Sequence, residues 1–95
     1  MEKRNEILEL SLEFALNIID YCELLEEKRK YVIARQLISS GTSIGANVNE
    51  AQNAESDADF IYKLKIAAKQ ADETGYLPEL CTRSKHYPKP EKLTI

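Results

Sequence analysis

The chain has 95 residues, 43% of them hydrophobic and 31% charged, with a formal net charge of −3. That length argues for one domain with a marginal core, often helped by oligomerisation, and the composition excludes a disordered chain. Three Gly and three Pro leave little turn material for a sheet protein, and a pI near 5.2 argues against a freestanding basic nucleic-acid binder.

The charge is uneven. Residues 1–27 carry eight acids against Lys3 and Arg4, so the remainder is net basic. Assembly could segregate these fields. Cys22 and Cys81 fit no metal-ligand spacing, and no cofactor, metal or small-molecule substrate is expected. The charged N-terminus lacks the apolar run of a signal peptide. No apolar stretch approaches the ~20 residues of a membrane span, so a cytoplasmic location is expected.

The first helix is expected over about residues 4–26. Leu8, Leu12, Ala15, Ile19 and Cys22 form one apolar row, and Phe14, Ile18, Tyr21 and Leu25 form a second. Two rows imply at least two neighbours. A charged corner follows, Glu26-Glu27-Lys28-Arg29-Lys30. Its cations suit either a helix C-terminus or phosphate contact.

The second helix is expected over about 29–52. Ala34, Gly41 and Val48 sit seven apart, as do Leu37, Ile44 and Ala51, which makes a heptad seam. Each interior glycine costs roughly 1 kcal/mol against Ala, so close helix packing must offset Gly41 and Gly45. Gly41, Ile44, Gly45 and Val48 are the expected packing residues. Gln36, Ser40, Ser43, Asn47 and Glu50 share a polar stripe, open to reading as an interface network, an exposed face or a ligand groove.

The third helix is expected over about 56–77, opened by Ser56 with Asp59 in a near capping box. Phe60, Leu64, Ala67, Ala71 and Thr74 give its seam, with the alanines expected against the glycines of the second helix. Lys65 and Lys69 form a basic strip that pairs with acids of the first helix or with water. Pro78 falls on the seam, and an interior Pro costs ~3 kcal/mol and kinks or ends a helix. Residues 82–95 then read as a basic, extended, Pro-containing tail beyond a helical domain of residues 1–81. His86 lacks a nucleophile or acid at recognisable spacing, so no catalytic role is expected for it.

Residues 36–51, with Glu55-Ser56-Asp57-Ala58-Asp59-Phe60, Glu73-Thr74 and the Ser11–Ala15 run, resemble the bacterial 23S rRNA intervening-sequence proteins, also called the four helix bundle protein family. The likeness spans about residues 9–76. It implies an all-α, antiparallel up-and-down four-helix bundle, assembly into homopentameric rings, and no enzyme activity. Three helices are clear in this chain. Where relatives continue with an aromatic, apolar run, this chain has Tyr76-Leu77-Pro78-Glu79-Leu80-Cys81. Residues 82–95 supply no fourth amphipathic helix, so the ending reads as truncated or frameshifted.

The expected function is therefore that of a non-enzymatic, self-associating bundle, with RNA or a nucleic-acid complex as candidate partner. The candidate nucleic-acid contacts are Lys28, Arg29, Lys30, Arg35, Lys65 and Lys69. The alternative is a protein-interaction scaffold without nucleic-acid contact.

Overall fold

The computed structural model describes the backbone of residues 2–90 and the side chains of residues 6–90. Residues 91–95 of the expected tail lie outside the described residues. Three helices follow one another: α1 (Glu2–Glu27), α2 (Tyr31–Ala51) and α3 (Asp57–Arg83). No strand occurs among the described residues.

The heptad seam makes α2 the middle helix. Its six seam residues, Ala34, Leu37, Gly41, Ile44, Val48 and Ala51, are all buried. α2 lies against both other helices, whereas no Cα of α1 comes within 8 Å of any Cα of α3. Rising positions on α2 meet falling positions on its neighbours. Gly41 meets Ile18 and Gly45 approaches Ser11 on α1, while Asn47 meets Gln70 and Glu50 meets Lys63 on α3. Both neighbours therefore run antiparallel to α2, as short connections require.

The core divides along the 46 Å length of the molecule. At one end Ile18, Tyr21, Cys22, Leu25, Leu37 and Cys81 share a cluster. At the other, Ile44, Val48 and Ala67 form a smaller one. Leu25 and Leu37 are fully buried, each worth roughly 2–3 kcal/mol.

The glycines face α1, not the alanines of α3 as their shared smallness suggested. A Cβ on Gly41 would lie 3.0 Å from both Ile18 Cγ1 and Cγ2. The absent side chain thus makes room for a β-branched one. Ala67 packs with Ile44 and Val48 instead, on the other flank of the seam.

The third helix also differs from expectation at its end. It opens as the capping residues imply, with Ser56 Oγ accepting from the Asp59 backbone N–H at 3.1 Å. It then continues through Pro78 to Arg83 rather than ending near residue 77. Pro78 and Cys81 are buried, so core packing offsets the hydrogen bond that proline cannot donate. An Arg83–Glu79 ion pair at 2.8 Å supports the last turn.

The following segment is not free. Tyr87 packs on the larger core cluster. The Tyr21 hydroxyl donates to Pro88 O at 2.6 Å. Lys89 Nζ donates to Thr82 O at 2.6 Å and Ser84 O at 2.7 Å. Residues 84–90 thus fold back across the space between α1 and α3 at the Cys81 end.

Candidate functional site

At the opposite end nothing in the described chain covers that space. There α1, α2 and α3 enclose an open apolar groove of about 420 Å³, with Ile7, Leu10 and Phe14 on one wall, Ile44 and Val48 as floor, and Leu64, Ala68 and Ala71 on the other wall. The groove lies between α1 and α3, where a fourth helix of a bundle would seal the core.

α1 carries a second unfilled surface. Its Phe14–Leu25 row faces α2, with Ile18 and Leu25 fully buried. Of the other row only Cys22 is buried; Leu12 is 49% exposed, and Leu8, Ala15 and Ile19 are half-buried. Leu16, one turn beyond Leu12, is 61% exposed. Residues two apart on a helix point in nearly opposite directions. Leu10 lines the groove and is 65% exposed, so Leu12 lies on the far flank of α1. Among the described residues no second helix packs on that flank of α1.

The polar stripe of α2 is divided. Its C-terminal half joins α3: Asn47 Nδ2 donates to Gln70 Oε1 at 2.6 Å, and Glu50 lies 3.9 Å from Lys63. Ser40 and Ser43 turn back onto their own helix, donating to Leu37 O and Ser39 O. Gln36 is exposed. Of the packing residues, Ile44 and Val48 floor the groove, while Gly41 and Gly45 face α1.

The candidate nucleic-acid residues separate into two groups. Lys28, Arg29 and Lys30 form the α1–α2 corner, with Arg35 exposed on the second turn of α2. Lys65 and Lys69 lie exposed in the first half of α3. Lys65 precedes Arg83 by 18 residues, about 27 Å along the helix. Sequence position gave no sign that the C-terminal segment joins the first group. Lys30 Nζ sits 5.0 Å from the centre of the Tyr87 ring, which brings Arg83, Lys85 and Lys89 to the end that holds Lys28–Lys30.

The corner has a defined geometry. Lys30 N donates to Leu25 O at 2.8 Å and Arg29 N to Glu26 O at 2.9 Å, the paired bonds of a Schellman C-cap. Arg29 occupies the left-handed position with φ 63°, and it is the only non-glycine among the described residues with positive φ. Glycine is the usual occupant there because a Cβ is strained.

Two thiols lie in the larger cluster. Burial raises the Cys22 thiol from 9.0 to about 11, with Glu26 and Cys81 adding to the shift. Its Sγ–H donates to Ala34 O at 3.4 Å. Burial also raises the Tyr21 hydroxyl far above its ordinary value, helped by Cys81 beside it. Raised values keep these groups neutral, which suits packing rather than nucleophilic work. Among the described residues no three His, Cys, Asp or Glu gather as a metal would require. No helix among them is long and apolar enough to cross a membrane.

Comparison with known proteins gives a consistent result. A family model described as 23S rRNA-intervening sequence protein matches residues 3–94. The chain is also similar to a crystal structure, at 1.70 Å resolution, of a protein with unknown function from the S23 ribosomal protein family of Bacteroides thetaiotaomicron VPI-5482. The identity is 43% and the TM-score 0.85, covering 94% of this chain and 85% of that one. No curated protein matches the chain significantly.

Proposed function

For a chain that belongs to the 23S rRNA-intervening sequence protein family, we propose a non-enzymatic role as a helical-bundle protein that self-associates. The observation that carries this is the state of α1: its Leu12 and Leu16 flank is exposed while its Leu10 flank borders an open apolar groove. A helix apolar on several sides is stable in water only when neighbours cover it. One flank is an exposed apolar row and the other borders a groove, and they lie on opposite sides of the same helix. A copy that seats its Leu12–Leu16 row in the groove of the next makes a head-to-tail contact. Such contacts form a ring when the rotation between copies closes, and the pentamer that the family resemblance implies is one such ring.

Sedimentation velocity at micromolar concentration tests this reading. Wild type is expected as a closed oligomer, and the Leu12→Lys, Leu16→Lys double variant as a folded monomer. A wild-type monomer that persists at high concentration overturns self-association.

Nucleic-acid contact is a second reading. It is favoured by one observation: Lys28–Lys30 and the Arg83–Lys89 segment share one end of the bundle.

A further inference from the structure

We propose that this end of the bundle, formed by the α1–α2 corner and the folded-back C-terminal segment, is a surface for single-stranded RNA. Lys28, Arg29 and Lys85 bind phosphates there, and Tyr31 offers its ring to a base. The inference rests on the nucleic-acid reading and gives it an address.

The first support is charge. Residues 26–30 and 79–89 together hold six cations, Lys28, Arg29, Lys30, Arg83, Lys85 and Lys89, against three acids, Glu26, Glu27 and Glu79. The same chain has no Lys or Arg between Arg4 and Lys28. Within an acidic protein these spans are net basic, and they hold six of its thirteen Lys and Arg. Some of them already have structural work. Lys89 is spent on the carbonyls that end α3, Arg83 on Glu79, and Lys30 lies over Tyr87. Lys28, Arg29 and Lys85 are exposed and make no side-chain contact of this kind.

The second support is backbone strain. A C-cap needs no cation at its left-handed position, and glycine fits it at lower cost. Arg29 is held there with φ 63° and projects from the tip of the corner. A residue kept against its backbone preference points to a role outside the fold. The third is an aromatic ring. Tyr31 opens α2 beside this corner and is 52% exposed. Exposed rings interleaved with cations suit unpaired bases, because every base has a face to stack. An acidic peptide would use the cations and leave the ring idle.

Three phosphates on a single strand imply a slope of log affinity against log salt of about −2 per site, so raising salt from 50 to 200 mM weakens binding about 15-fold. The test is fluorescence anisotropy of the full chain with a labelled single-stranded 20-mer RNA at low salt. The Lys28→Gln, Arg29→Gly, Lys85→Gln variant is expected to lose at least tenfold, with far-UV circular dichroism confirming its fold. Tyr31→Leu is expected to lose about tenfold on the single strand and much less on duplex RNA. Lys65→Gln, Lys69→Gln is expected to stay within twofold of wild type.

If wild type binds but the triple variant binds as well as wild type, the address is wrong while the nucleic-acid reading stands. If wild type does not bind at 50 mM salt, both fall. If polyglutamate displaces the RNA equally well per charge, the partner is an acidic surface and the proposal is overturned.

Discussion

Gly41 and Gly45 are one helical turn apart and chemically identical, yet their surroundings assign them different roles. A methyl at Gly41 would press on Ile18 at 3.0 Å, whereas one at Gly45 would find its nearest atom, Ser11 O, at 3.9 Å. Gly45→Ala removes a helix-interior glycine without a clash and is expected to raise stability by about 1 kcal/mol. Gly41→Ala gains the same propensity but must move Ile18, a fully buried side chain, and is expected to be destabilising. Gly41→Leu should cost about 3 kcal/mol. Urea unfolding of the three variants checks the order, which fails if Gly41→Ala matches Gly45→Ala.

The buried thiol and phenol set a pH limit. Cys22 holds its proton to about 11 in the fold and releases it near 9.0 when unfolded. Between those values the unfolded chain gains from deprotonation and the folded chain does not. Stability is therefore full below pH 9 and falls as pH rises toward 11, and Tyr21 acts in the same direction. Thermal melts from pH 7 to 10.5 should show Tm flat at first and then falling. Cys22→Ala should shallow that fall, although the variant starts from a lower Tm.

At the scale of elements, what the sequence makes legible depends on period. The six seam residues of α2 are buried because a seven-residue spacing survives any detail of the neighbours. Which neighbour each glycine meets was not legible. Gly41 and Ile44 lie on one seam only three residues apart, and that small turn of the helix separates contact with α1 from contact with α3. The seam of α3 correctly includes Pro78, yet the local rule that proline stops a helix prevails in sequence. Packing prevails in the fold, where Thr74, Pro78 and Cys81 are all buried. The C-terminal segment has no period, so its docking through Tyr87 and Pro88 could not be read at all. That docking is testable. Tyr87→Ala uncovers the larger core cluster and should cost about 2 kcal/mol, less than a fully buried aromatic. A variant as stable as wild type in urea would mean the segment contributes nothing.

For the whole molecule, the fold class and the missing fourth helix were legible, and the docking of the C-terminal segment was not. Three amphipathic patterns with short connections leave few arrangements other than antiparallel helices. Whether the α1–α3 space is filled depends on contacts across more than 60 residues of sequence, such as Tyr21 to Pro88. The candidate site behaves the same way. Lys28, Arg29 and Lys30 stand out as a local triplet, but Lys85 joins them only through the returning chain. The result is a molecule closed at its basic end and open at its apolar end.

The spacing between α1 and α3 has one more consequence. Cys22 and Cys81 share a core cluster, and Cys81 adds to the upward shift of the Cys22 thiol. A disulfide needs Cα atoms within about 7 Å, and no Cα pair between these helices comes within 8 Å. Oxidation therefore cannot staple the first helix to the third as they stand. The pair is chemically eligible but geometrically barred, so closing this bridge would require the backbones of the two helices to move together.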